Sequence, residues 1–125
     1  MYSDLIGKPF KYFGRGPDAY DCYGLALEIY KRIGRPLPDY TSSESSKIQS
    51  ELFVEGLAKH TYKVDAPEAF DLVMFQIVPC YVSHIGVFIG KGKFIHVMSK
   101  VSVVVEELNS IIWKQKFKGF YRYRG

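Results

Sequence analysis

The sequence has few cysteines and no long apolar segment. Its 125 residues include only two cysteines, Cys22 and Cys80, which allow at most one disulfide and are expected to be free thiols. No apolar run approaches the roughly 18 residues that a membrane-spanning helix needs. The N-terminus also lacks the basic and then apolar pattern of a signal peptide. We therefore expect synthesis in the cytoplasm, no signal peptide and no membrane partner.

The composition predicts an ordinary globular domain. Apolar residues make up 47% of the chain and charged residues 24%, which is enough to build a core and argues against disorder. The length fits one domain over residues 1–125. A net charge of +4 favours anionic surfaces such as cell wall or nucleic acid, without choosing between them.

The C-terminal stretch WKQKFKGFYRYR interleaves basic and aromatic residues. Such a pattern can stack on single-stranded nucleic acid. It is more typical of an edge strand whose aromatic side chains pack inward, and we expect no nucleic-acid partner.

Hydrophobic spacing predicts helices first and strands second. Asp21 is a suitable N-cap for a helix that ends near Gly34, and serines precede a second helix over roughly 45–57, with Ile48, Leu52 and Phe53 on its apolar face. A polar connector follows. Five short segments rich in β-branched and aromatic residues then predict antiparallel strands: DLVMFQIV, HIGVFIG, KFIHVM, VSVVVEE and KGFYRYR. The fold class is therefore α+β.

Cys22 and two histidines form the candidate reactive set. A thiol at a helix start lies at the positive end of the helix dipole, which favours the thiolate. His84 and His96 lie on strands joined by a predicted hairpin turn, in which paired residue numbers sum to about 182 or 183. That register makes the two imidazoles neighbours, and packing of the helix on the sheet would complete a Cys-His-His set.

The same residues also fit other interpretations. A cysteine at a helix start is usually inert, and a histidine in a strand is usually a half-buried structural side chain. Zinc is bound by cysteine and histidine, but the spacing here matches no zinc motif, and no metal or cofactor is expected. We interpret Cys80 as a structural loop residue, with a redox role as the alternative, and His60 as a surface residue.

Three stretches carry a resemblance to a known family. PFKYFGRGPDAYDCYGL, FDLVMF and SHIGVFIGKGKFIHV resemble, in order and spacing, the motifs of NlpC-type cysteine peptidases, across about residues 5–123. The resemblance implies a papain-like fold with N-terminal helices packed on the sheet. It also implies that Cys22 is the nucleophile, His84 the general base and His96 the group that orients this base. The implied substrate is a peptidoglycan stem peptide.

Several positions depart from the family pattern. Tyr23 replaces the usual serine, and together with GRPLPDY it is similar to the branch found in phage tail assembly proteins. That similarity implies phage tail partners. Because no signal peptide is expected, an enzyme of this kind would reach the wall through a phage particle, lysis or specialised export, or else act in the cytoplasm on another amide. Phe10 stands where a tyrosine is common, with Tyr12 as its possible replacement, and Phe70 replaces a glycine.

Substrate contacts and activity remain open at this point. A binding module of the same fold that has weak chemistry or none is the alternative to an active peptidase. The residues expected to contact substrate are Phe10, Tyr12, Asp21, Tyr23 and Ser83.

Overall fold

A computed structural model describes residues 2–39 and 42–125. Its helices precede its sheet, apart from one short late helix, so the α+β class is confirmed. None of the helices in these two ranges is long and apolar enough to cross a membrane. The helices are α1 (Cys22–Arg32), α2 (Ser46–Glu55) and α3 (Ile111–Lys114), with 3₁₀ turns at Ser3–Leu5 and Leu57–His60. The strands are β1 (Thr61–Val64), β2 (Leu72–Phe75), β3 (His84–Gly90), β4 (Lys93–Met98), β5 (Val101–Glu107) and β6 (Phe117–Tyr123).

Helix α1 begins where the sequence predicts. The Asp21 carboxylate accepts a hydrogen bond from the backbone N–H of Gly24 at 2.6 Å, which satisfies one of the free donors at the helix start. The apolar side chains of Leu25 and Ile29 are fully buried. This buried stripe packs α1 on β3 and β4, so the first turn of the helix lies beside the sheet.

Helix α2 is also present, although its buried face differs from the expected one. Ser45 caps it by accepting from the N–H of Ile48 at 3.3 Å. Phe53 is buried and its ring lies 6.2 Å from that of Tyr23. Ile48, by contrast, is 49% exposed, because α2 turns Gln49 rather than Ile48 towards the protein.

The sheet has the strand order β1-β6-β2-β3-β4-β5, and neighbouring strands are antiparallel. In the β3–β4 hairpin Val87 pairs with Ile95 and Phe88 with Phe94. These pairs sum to 182, which confirms the register predicted from the turn position.

Strand β1 corrects two sequence-based expectations. The stretch predicted as a polar connector contains β1, which pairs with β6 from Thr61↔Tyr123 to Val64↔Phe120. Because β1 occupies the edge, β6 lies between β1 and β2 instead of forming the edge strand. The connector is too polar to show a strand, since only one face of β1 is covered and its pattern of burial is partial.

The sheet has two unlike faces. The aliphatic face packs against α1 and consists of Leu72, Met74, Ile85, Val87, Ile95 and Val97. The aromatic face consists of Val73, Phe75, Phe88, Phe94 and Trp113, together with His84 and His96 in ring contact with them. Alternation along β3 and β4 sends successive side chains to opposite faces, which explains how two strands build both.

Candidate active site

A surface groove lies at the end of the sheet where α1 begins and β3 starts. It brings together five sequence-predicted residues near Cys22, which therefore meet in space as the motifs suggested. These five are Phe10, Tyr12, Asp21, Ser83 and His84. The remaining wall comes from three places: the start of α2 and the residues before it, the loop after β2, and the end of β4 with the residue that follows. These residues are Ser43, Glu44, Ser46 and Gln49, then Ile77, then Val97, Met98 and Ser99.

Cys22 is held by a close contact between two backbones. A Cβ atom on Gly24 would lie only 2.0 Å from the carbonyl oxygen of Gly14, so only glycine fits at this position of α1. The same carbonyl accepts from the backbone N–H of Asp21 at 3.2 Å. The loop before Cys22 is thereby fixed against the first turn of the helix.

Arg15 connects this loop to its surroundings through ion pairs and a hydrogen bond. Its guanidinium donates to Asp21 at 2.8 Å, to Asp39 at 3.0 Å and to the hydroxyl of Ser42 at 2.9 Å. Asp21 is 4% exposed, and its Oδ2 atom has no hydrogen-bond partner in the described part of the chain. Arg15 thus links the helix start to the segment that precedes α2.

The two histidines form a hydrogen-bonded chain that ends on a carboxylate. His84 Nε2 lies 2.9 Å from His96 Nδ1, and His96 Nε2 lies 2.5 Å from Glu106 Oε2. Trp113 covers both imidazoles, with ring centroids 6.0 Å from His84 and 4.7 Å from His96. Since His84 uses Nε2 for His96, Nδ1 is the nitrogen left to face another group.

Burial sets the protonation of the thiol and the imidazole. It raises the pKa of Cys22 to about 12, helped by the Asp21 carboxylate and opposed by a backbone hydrogen bond from Ile85. Burial, followed by the charge of His96, lowers the pKa of His84 to about 3. Both shifts favour the uncharged thiol and imidazole, because removal from water disfavours the charged form of each group. Desolvation thus opposes the thiolate that the helix start favours.

The position of Tyr23 corrects an expected substrate contact. Its side chain is 2% exposed, packs near Phe53 and donates to the carbonyl of Pro38 at 2.5 Å, so it does not line the groove. Asp21 and His84 are nearly as buried but line the groove, whereas Tyr23 does not, so the expected contact is wrong. Its position in the first turn of α1 turns it towards α2 rather than outward.

Other singled-out residues lie away from the groove. Cys80 is an exposed free thiol in the loop before β3, and His60 ends the second 3₁₀ turn. Phe70 has a φ of 75°, a left-handed conformation that favours glycine, and its carbonyl accepts from the hydroxyl of Tyr30. The glycine usual at this position in the family suits that conformation.

Sequence reasoning missed Glu106 and Arg15. Glu106 sits opposite Phe94 in the β4–β5 register, two residues from Val104, which is opposite His96. Side chains at such diagonal positions on one face reach each other, so the β4–β5 register was the signal that could have found Glu106. Within residues 2–39 and 42–125 no group of three or more His, Cys, Asp and Glu side chains is arranged to hold a metal ion.

Comparison with curated proteins gives several similar bacterial sequences. The probable peptidoglycan endopeptidase LytE of Bacillus subtilis is 28% identical over 123 residues, which are 95% of this chain and 31% of that protein. The probable endopeptidase p60 of Listeria grayi is 26% identical over 120 residues, or 94% of this chain and 20% of that protein. The chain thus spans a third or less of the length of these two relatives.

Solved structures share the fold. A lipoprotein-like NLP/P60 family protein of Staphylococcus aureus aligns with a TM-score of 0.73 and 21% identity, covering 98% of this chain and 38% of the other. RipD of Mycobacterium tuberculosis aligns with a TM-score of 0.60 and 19% identity, covering 94% and 87%. RipD is described as a non-catalytic domain adapted to peptidoglycan binding.

A sequence profile of the NlpC/P60 family matches residues 7–122, which include both halves of the groove and the whole histidine chain. On this match, supported by the shared fold, the chain belongs to the NlpC/P60 family.

Proposed function

We propose that this chain is a cysteine peptidase that hydrolyses an amide bond in peptidoglycan stem peptides. Cys22 is the nucleophile, His84 the general base and His96 the group that orients His84. One observation carries the proposal: Cys22 and His84 line the same groove, while the far nitrogen of His84 is already bound to His96. Relatives named as peptidoglycan endopeptidases support the wall as substrate.

The reaction follows from this arrangement. His84 Nδ1 takes the proton from the Cys22 thiol as the sulfur attacks the amide carbonyl carbon. The tetrahedral intermediate collapses to a thioester when His84 gives the proton to the leaving amine. Water, deprotonated by His84, then attacks the thioester and releases a carboxylic acid, and the proton returns to the sulfur.

The helix start supplies stabilisation for the oxyanion. The N–H of Gly24 is used by Asp21, and the N–H of Leu25 by the carbonyl of Asp21. The backbone N–H of Cys22 precedes these in the first turn, where donors have no partner inside the helix. Its place beside the attacking sulfur makes it the donor for the developing negative charge.

Resting neutrality is compatible with this chemistry. Because the thiol has a raised pKa and His84 a lowered one, the proton moves during attack instead of beforehand. In this mechanism His84 acts as a general base towards the Cys22 thiol.

A binding module of the same fold is the competing function. RipD, described as non-catalytic, has the same fold, so fold alone does not decide. The occupied hydrogen-bond chain from His84 through His96 to Glu106 favours the enzyme, since a pure binding surface has no use for an oriented buried base. A phage tail role stays a prediction from the resemblance.

The test is cleavage of purified wall fragments by wild type and by Cys22→Ala. Wild type should release new amine ends, identified by mass spectrometry of the products, and Cys22→Ala should release none, because no acyl-enzyme can form. Cys80→Ala is the matched control, since it removes the other thiol outside the groove.

The outcomes separate the two functions. Loss of cleavage in Cys22→Ala with retention in Cys80→Ala supports the peptidase. Wild type that binds wall fragments and cleaves none, across wall types of different peptide composition, makes the binding module correct. Cleavage by Cys22→Ala at the wild-type rate would remove Cys22 from the mechanism.

A further inference from the structure

Glu106 occupies the last position of the chain that leads from the groove to the edge of the sheet. Its carboxylate lies 2.5 Å from His96 Nε2, and His96 Nδ1 lies 2.9 Å from His84 Nε2. His96 has no solvent exposure, whereas the Glu106 side chain is 33% exposed. The carboxylate thus joins a fully buried imidazole to the protein surface.

The chemistry of these groups fixes where each proton sits. An ionised carboxylate only accepts hydrogen bonds, so His96 must carry its proton on Nε2 to donate to Glu106. In a neutral imidazole that donates from Nε2, the other nitrogen, Nδ1, is a lone-pair acceptor. Burial favours this neutral form by lowering the pKa of His96, although the Glu106 carboxylate opposes that shift. His84 must then donate from Nε2, and its Nδ1 is left without a proton. One carboxylate therefore selects the tautomer of both imidazoles.

The surroundings make this selection effective. Phe94 and Trp113 rings lie 4.8 Å and 4.7 Å from the His96 ring, so aromatic carbon surrounds it. In such an apolar setting an unsatisfied ring nitrogen is costly, and the imidazole keeps the tautomer that satisfies both of its partners.

We propose that Glu106 is a positioning residue that acts through His96 to hold His84 in the Nε2–H tautomer, with Nδ1 as the lone pair that accepts the Cys22 proton. The inference deepens the proposed function and rests on it for its catalytic meaning. The structural part, the tautomers themselves, stands independently of any activity.

The first measurement is nitrogen-15 NMR of the histidine side chains in wild type, Glu106→Gln and Glu107→Gln. The chain has only three histidines, so a His60→Gln variant identifies the remaining two signals as those of the pair. Wild type should show His84 and His96 both protonated at Nε2. In Glu106→Gln the neutral amide can donate as well as accept, so the two tautomers should become mixed.

Glu107→Gln is the matched control. It makes the same change of charge one residue away on an exposed position of β5, where alternation turns the side chain from the aromatic face. It should leave both tautomers as in wild type. Its folding, checked by thermal melting beside that of Glu106→Gln, shows whether any difference reflects stability alone.

The second measurement is kinetics on wall peptides. Glu106→Gln should lower kcat by about tenfold or more, with KM nearly unchanged, because only the orientation and basicity of His84 are affected. Glu106→Asp keeps an acceptor-only carboxylate and should recover part of kcat and the wild-type tautomers. A loss of packing alone would give no such recovery and no tautomer change.

Each outcome supports or overturns the positioning role of Glu106. A wild-type spectrum with the proton of His84 on Nδ1 overturns the proposal without any variant, as does a Glu106→Gln spectrum identical to that of Glu107→Gln. Mixed tautomers in Glu106→Gln alone support it, even if wild type cleaves no wall peptide, in which case the proposed function fails and the positioning role of Glu106 stands.

Discussion

On the aliphatic face of the sheet, Ile85 and Ile95 pack against α1, while on the aromatic face their chain neighbours His84 and His96 lie beneath Trp113. Both faces are buried, and of the side chains that define them only those of the aromatic face include hydrogen-bonding groups. A step of one residue along β3 or β4 leads from the apolar packing against α1 to the hydrogen-bonded histidines. Substitutions at adjacent positions should therefore separate stability from chemistry.

The largest effect is expected on the aliphatic face. Ile95 is completely buried, and Ile95→Ala should lower the free energy of unfolding by about 2–5 kcal/mol, because it leaves a cavity between β4 and its neighbours. Urea denaturation measures this. Ile111→Ala is the control, since Ile111 is 81% exposed and its loss should cost less than about 0.5 kcal/mol. Equal losses would mean that the face is not close-packed.

A smaller effect is expected from replacing Trp113 on the aromatic face with a smaller ring. Trp113→Phe should cost about 1–3 kcal/mol in a urea titration. It should also let water reach the imidazoles, so that the pKa of His84 rises from about 3 towards its ordinary value. The acid limb of the kcat/KM profile should then move to higher pH. An unmoved limb with lowered stability would show that Trp113 only packs.

The smallest effect, counted per pH unit, is the expected loss of stability as the pH is lowered. The pKa of His84 is lower in the folded chain than in the unfolded one, so the unfolded state binds more protons between pH 6.5 and about 3. Stability should fall as pH decreases through that window, by at most about 1.4 kcal/mol per pH unit for each such histidine.

Thermal melting between pH 7 and pH 4 checks this slope. His84→Gln, which places a neutral amide on the aromatic face, should flatten it. His60→Gln should leave the slope as in wild type, because His60 lies outside that face. A slope that His60→Gln flattens as much would assign the effect to another source.

Local sequence signals predicted most of the fold. The N-cap and apolar stripe of α1, the serine cap of α2 and five of the six strands come from spacing within a few residues. Strand β1 was missed because its partner β6 lies over 50 residues away and its own side chains are mostly polar or exposed. The edge of the sheet was assigned wrongly for the same reason.

The site was predictable where it depends on motifs and hairpins, and not where it depends on tertiary contact. His84 and His96 are neighbours through a hairpin whose register the turn reveals. Glu106 comes close to His96 only through the pairing of β4 with β5. The inward position of Tyr23 depends on its contact with Phe53 of α2. The pKa of Cys22 depends on how much water the fold removes, which no local pattern gives.

The contact between Gly24 and the Gly14 carbonyl fixes one end of the preceding loop, at Gly14, and leaves the neighbouring residues Tyr12 and Phe13 on the surface. The end at Gly14 is held to α1 by backbone atoms, whereas the side chains of Tyr12 and Phe13 are 44% and 53% exposed. For protein engineering, Tyr12 and Phe13 are therefore positions where the loop sequence can be exchanged. Under the proposed function, we expect substitutions at Tyr12, which lines the groove, to change substrate preference while the Gly14 contact keeps the sulfur of Cys22 in place.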